Sequence, residues 1–192
     1  MSSILVGRTR ARSQAIQLLF QAEIQAVDVF DLLAGGQYVL EDGPLDEYGE
    51  QLARGVARTR LPIDRLIAGV SQNWNLSRMP LVDRTIMSVA VHEIFDEDEV
   101  PTSVAISEAV EISKVYGTDD SSSFVNGVLG RVARLADEHP DLGLAQIAKL
   151  VAPVEEAPAA PETADESPLE GDAAPEAAHA DAPAEKGAHA DE

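Results

Sequence analysis

The sequence predicts an all-α fold: a compact bundle of six to seven short helices followed by a disordered acidic tail. Three observations carry this. Apolar residues recur at three- and four-residue spacing through the first 150 positions, without the period-two alternation of a half-buried strand. Hydrophobic residues make up 45% of the chain but aromatic residues only 4%. The core must therefore be filled by Leu, Ile, Val and Ala, a mix that favours helices over a β-sandwich. Finally, Gly and Pro punctuate the pattern at short intervals, so consecutive helices become neighbours in a bundle.

The first helix is expected from Ala11 to about Val27, with Ala15, Leu18, Leu19, Ala22 and Ala26 on one stripe. A short turn or helix over Asp28–Ala34 is closed by Gly35-Gly36. Leu45–Thr59 carries Leu45, Tyr48, Leu52, Val56 and Thr59. Pro62 opens the next helix, where its missing N–H does no harm, and Ile63, Leu66, Ile67, Val70 and Trp74 form its apolar face. Pro80 starts the strongest segment, in which Val82, Ile86, Val89, Ala90, Val91 and Ile94 cover more than one side; this helix should be central and buried. After the acidic turn and Pro101, Ala105, Ile106, Ala109, Val110 and Ser113 give another stripe, ending at Tyr116-Gly117, a left-handed stop. Asp120 or Ser121 is expected to cap the last strong helix, which buries Phe124, Val125, Val128, Leu129, Val132 and Leu135. A weaker helix over Leu142–Leu150 follows Pro140.

The chain divides into a basic N-terminal arm (1–10), a helical domain (11–151) and a tail (152–192) of Ala, Pro, Glu and Asp. The tail holds too little apolar surface to offset chain entropy. It carries 12 acidic residues and one lysine, so net −11 of the chain's −20 lies there. Charges beyond roughly 8 Å are largely screened at about 0.15 M salt. A local basic cluster can therefore attract phosphate on an acidic protein. The lack of cysteine removes disulfides and thiolate metal sites. No signal-peptide core or membrane-length apolar run is present, and a cytoplasmic location is expected.

No catalytic constellation emerges. His92-Glu93-Ile94-Phe95-Asp96 misses the zinc-protease pattern because Asp96 stands where a second histidine is needed. Gly-rich phosphate loops and the nucleophile elbow are missing. Gly127 and Gly130 sit within a helical pattern and read as points of close helix packing. A non-enzymatic binding protein without cofactor or metal is the expectation.

Two features point to nucleic acid. Arg8, Arg10 and Arg12 precede and enter the first helix, with no acid before Glu23. In an extended arm all three share a side; in a helix Arg8 and Arg12 share a face and Arg10 does not. Guanidinium groups suit phosphate oxygens and stack on unpaired bases. The second feature is YGTDDSSSFVNGVL, a hydroxyl-rich helix start that offers free N–H groups to an anion.

R-x-R-A-R followed by A-I-Q-L-L-F resembles the opening of the NusB family. So do P-L-V-D-R-T-I-M-S-V-A-V-H-E-I, V-P-T-S-V-A-I-S-E-A-V-E-I-S-K-V-Y-G and D-D-S-S-S-F-V-N-G-V-L-G, in the family's order over roughly residues 8–136. The resemblance implies two packed helical halves and binding of boxA-type single-stranded leader RNA of ribosomal RNA operons. It also implies ribosomal protein NusE as partner within the RNA polymerase antitermination complex. It assigns RNA contacts to Arg8, Arg10, Arg12, Asp120, Ser121 and Phe124, and the partner side to Asp83 and Arg84. Ser88, Ser123 and Gly130 depart from residues common in the family; the first two remove positive charge.

Two other readings follow. NusB-like domains front certain ribosomal RNA methyltransferases, which need an α/β cofactor domain; only the tail follows here. A self-associating homodimer with weak RNA binding is the alternative. Replacing Arg8, Arg10 and Arg12 by alanine is expected to weaken RNA binding with little loss of stability.

Overall fold

The computed structural model describes residues 5–41, 43–71 and 78–151 of the 192-residue chain. Trp74 and the tail lie outside the described residues. Eight helices are present among those described: α1 (Gly7–Gln25), α2 (Val29–Gly35), α3 (Glu47–Arg58), α4 (Arg60–Val70), α5 (Leu81–Asp96), α6 (Thr102–Tyr116), α7 (Ser121–Glu138) and α8 (Leu144–Val151). Both weak segments form helices, so the count exceeds the six to seven expected. Asp28 caps α2 by accepting from the Phe30 amide (2.7 Å), and Gly36 ends it in the left-handed region at φ +62°. In α8, Leu144, Ile147 and Ala148 bury one stripe in a helix that packs on α4. Burying a Leu or Ile contributes about 1.5–3 kcal/mol each, enough to hold eight residues of modest intrinsic propensity.

The central position of α5 follows from its sequence: the run from Thr85 to Glu93 is buried throughout, and α1, α3, α4, α6 and α7 all pack against it. On one side α1, α2 and α3 pack together; on the other α6 meets α7 and α4 meets α8. The core is aliphatic, with Leu18, Leu52, Leu66, Ile86 and Leu129 among its fully buried side chains.

Helix boundaries differ from expectation at three points that matter for the site. α1 begins at Gly7 rather than Ala11. α4 begins at Arg60, two residues before Pro62; proline at the third helical position sacrifices no bond, because the first four amides lack intrahelical partners. Gly117 is not left-handed: its φ of −89° and ψ of −171° are extended. A Cβ there would lie 2.5 Å from Ser121 Oγ and 2.6 Å from Ser113 O. The glycine serves close approach of α6 and α7, not a special dihedral.

The segment between α2 and α3 is strapped to α1 by glutamines. Gln14 accepts from the Asp46 amide (2.8 Å) and donates to Pro44 O (3.0 Å). Gln17 accepts from the Glu41 amide (2.9 Å), and Gln21 bonds both backbone groups of Val39. These bonds fix Asp46, which caps α3 through the Tyr48 amide (3.0 Å), beside the start of α1.

Candidate nucleic-acid interface

The basic residues stand in the first turns of α1. The segment is helical from Gly7, and the Arg10 amide reaches Val6 O (3.4 Å). Arg8 and Arg12 therefore share one face, and Arg10 projects elsewhere to pair with Asp46 (3.5 Å). The expected arm is shortened accordingly, since residues 7–10 belong to α1.

Arg12 is only 4% exposed. Its Nε donates to both oxygens of Glu93 (2.9 Å each), and one terminal nitrogen lies 3.3 Å from Glu108. Tyr48 donates its hydroxyl to the same Glu93 (2.6 Å). Burial alone would lower the guanidinium pKa, but the bonded Glu93 and nearby Glu108 outweigh it and raise it. Burial, reinforced by Glu93, holds the Tyr48 hydroxyl well above its ordinary range, so it stays a donor. The cluster ties α1, α3, α5 and α6. Removing one member of such a buried pair leaves an uncompensated charge and costs about 3–5 kcal/mol. The triple replacement of the arginines is therefore not benign to stability: Arg12 is part of the interior.

Arg8 is different. Its side chain is 54% exposed, pairs with Glu99 (3.3 Å), and lies 5.0 Å above the Tyr48 ring. Of the three side chains Arg8 is the exposed one, at 54%, and Arg10 is half-buried, at 36% with its Nε inaccessible.

The second candidate region, at the α6–α7 junction, is tied to α5 by one hydroxyl. Ser121 Oγ accepts from the Thr118 amide (2.9 Å) and donates to Asp83 (3.0 Å). Asp83 is 3% exposed, and its other oxygen has no bonding partner. Burial raises its pKa, and the Ser121 bond offsets part of that rise. Asp120 is exposed and makes no side-chain cap; Ser121 has turned its oxygen back to Thr118 and Asp83. Phe124 is half-buried against the core. Glu99 precedes α6 and Ser121 follows it, so the two regions sit at opposite ends of a 15-residue helix, about 22 Å at 1.5 Å per residue.

Arg84, beside Asp83 in sequence, pairs with Glu23 (2.5 Å), which also takes Arg60 (3.0 Å). Next to them the α5 start, Leu81 and Val82, helps line an apolar groove of about 560 Å³ with Ile16, Phe20, Val39 and Tyr116. His92 is buried, its Nδ1 3.0 Å from Asp96. Among the described residues no group of three His, Cys, Asp or Glu is arranged to hold a metal, and no helix is long and apolar enough to cross a membrane. Gly127 and Gly130 face open space rather than a packed neighbour, which corrects the expectation of close packing there.

The sequence model described as the NusB family matches residues 9–134, from the first turn of α1 almost to the end of α7. The chain belongs to the NusB family. The transcription antitermination protein NusB of Saccharopolyspora erythraea is 41% identical over 132 residues, 68% of this chain and 89% of that one. The protein of the same name from Anaeromyxobacter is 45% identical over 128 residues, 66% and 89% of the two chains. Among solved structures, T. maritima NusB superposes with a TM-score of 0.60 at 33% identity, covering 71% of this chain and 99% of that one. A structure of antitermination factors NusB and NusE with double-stranded RNA shares the fold at a TM-score of 0.55 and 20% identity, over 66% and 96%.

Within this NusB fold the departures from common family residues fall in unlike places. Ser88 is buried and donates to Arg84 O (2.8 Å); Ser123 is exposed. Sequence reasoning missed the roles of Tyr48, Glu93 and Glu108. One signal was readable: Glu93 interrupts the apolar run of a helix expected to be central and buried, and a buried carboxylate requires a cationic or hydrogen-bonding partner.

Proposed function

We propose that this NusB-family chain is an RNA-binding antitermination factor that holds boxA-type leader RNA of ribosomal RNA operons together with ribosomal protein NusE. The observation that carries the reading is the exposed Arg8 beside the half-buried Arg10 at the tip of α1, held on a helix whose next arginine is locked into the core. Arg8 and Arg10 neutralise phosphates, Arg12 and Ser121 keep the two ends of the surface in place, and Asp120 and Phe124 lie where an extended strand passes the α6–α7 junction. The names of the relatives, and the complex of a NusB with NusE and RNA, support the assignment of partners. Arg84 and the adjacent apolar groove are the proposed NusE side. Asp83 supports that side from within, since its carboxylate is buried. The site needs no chemistry of its own: tethering RNA and protein raises the effective concentration of each at the transcribing polymerase.

Fluorescence anisotropy of a labelled boxA-type RNA, titrated with and without NusE at several salt concentrations, tests this. Binding should tighten with NusE and weaken with salt. Two phosphate contacts give a log–log slope of about −1.4 for single-stranded RNA. Salt-independent binding, or none even with NusE, would refute it and favour the self-associating reading.

A further inference from the structure

The Tyr48 ring is oriented with more constraint than a core-filling side chain requires. Its hydroxyl donates to Glu93 (2.6 Å), a carboxylate 1% exposed that Arg12 grips with two bonds of 2.9 Å. The Tyr48 amide is fixed in turn by the Asp46 cap (3.0 Å). The ring is only partly buried, and its cover is Arg8, whose guanidinium carbon lies 5.0 Å from the ring centroid. Among the described residues that cover is held from outside by Glu99, whereas Arg12, 6.0 Å from the same ring centroid, is locked in the core. The Arg8 side chain is 54% exposed and that of Glu99 85%, so the pair contributes little and opens readily in water.

We infer that Tyr48 is a base-stacking residue of the RNA site: an unpaired base takes the place of the Arg8 guanidinium on the ring while Arg8 turns to the flanking phosphate. The inference deepens the proposed RNA-binding function and rests on it. Aromatic rings that carry stacked bases beside arginines that neutralise the backbone are the common chemistry of single-strand recognition. Here an anchored ring and a displaceable cation supply both at one point. Glu99 occupies the cation in the free protein, and RNA phosphate replaces it.

The test uses the full chain and a boxA-type RNA carrying 2-aminopurine at successive positions. With the parent protein, one position should change fluorescence on binding in a way that reports stacking. Tyr48→Leu should abolish that change and weaken binding about tenfold, whereas Tyr48→Phe, which keeps the ring, should retain the change. Arg8→Ala, an exposed substitution that leaves the ring uncovered, should weaken binding yet keep the 2-aminopurine signal. Circular dichroism checks that each variant is helical; should Tyr48→Leu not fold, Tyr48→Met, which keeps apolar bulk without a ring, takes its place and should lose the signal in the same way. A signal at no position in the parent, or one that survives Tyr48→Leu, overturns the stacking role while leaving RNA binding in place. Failure of the parent to bind the RNA at all overturns both readings.

Discussion

α5 buries a carboxylate near each end, and the two are treated in opposite ways. Glu93 meets a full positive charge: Arg12 donates twice and the Tyr48 hydroxyl adds a third bond. Asp83 meets one neutral hydroxyl from Ser121, and its second oxygen is unpartnered. Both are nearly inaccessible, at 1% and 3%, so burial cannot explain the difference; the charge of the partner does. At the Glu93 end the ionised pair welds four helices beneath the first turns of α1. At the Asp83 end the carboxylate is pushed toward its neutral form, and the α6–α7 junction is held by small residues and one glycine. A buried acid can thus be a structural anchor or a source of strain, according to what it faces.

The contrast is broken most severely at Arg12. Arg12→Ala should lose about 3–5 kcal/mol by leaving Glu93 charged and unpaired. For a domain near 150 residues that is on the order of a 10 °C fall in melting temperature, to be read by calorimetry. A fall of a degree or two would mean that Glu93 finds water or another partner.

The opposite end gives the next largest effect. Gly117→Ala drives a methyl into the Ser113 carbonyl and the Ser121 side chain. Overpacking of this kind costs about 1–3 kcal/mol. Urea denaturation should register it as a lower midpoint with an unchanged slope.

Asp83→Asn should be neutral or stabilising at pH 7, by on the order of 1 kcal/mol, because it removes an unpaired buried charge and keeps an acceptor for Ser121. The sign with pH follows from the raised pKa. The folded state holds the Asp83 proton more firmly than the unfolded chain. The parent's advantage from this group is therefore complete below about pH 4, the ordinary aspartate value. It is lost as pH rises through the higher folded value. The Asn variant should gain on the parent from pH 4 to 7; a difference that shrinks over that range would reverse the assignment. Glu23 acts the other way in both proteins. Burial raises its pKa, but Arg60 and Arg84 outweigh that and lower it, so its contribution is lost toward acid and cancels in the comparison.

Much of the fold was legible because its causes are local. The three- and four-residue apolar spacing marked the helices, and apolar cover on several sides of residues 82–94 marked α5 as central. What was not legible depended on long-range pairing. The arginine triplet reads as one basic motif in sequence. Its split into a buried anchor and two surface cations arises only because Glu93, 81 positions away, and Glu108 converge on Arg12. Tyr48 read as one more apolar stripe position, since nothing local announces that its hydroxyl meets a buried acid. Gly117 was assigned a left-handed turn where the real demand is the proximity of Ser121. Asp120 and Ser121 read as caps, yet neither side chain caps α7, because Ser121 is occupied by Thr118 and Asp83.

The smallest effect on stability and the most direct test of function meet in one variant, Arg8→Ala with Arg10→Ala. Arg8 is exposed and Arg10 half-buried, each in an ion pair that water reaches, and stability should change by no more than about 0.5 kcal/mol for each. Anisotropy titration of boxA-type RNA, with NusE present, should show binding weakened at low salt and the log–log salt slope reduced toward zero. A double variant with the parent's affinity and salt slope would contradict the account, because the tip of α1 would then not be where the RNA backbone is held.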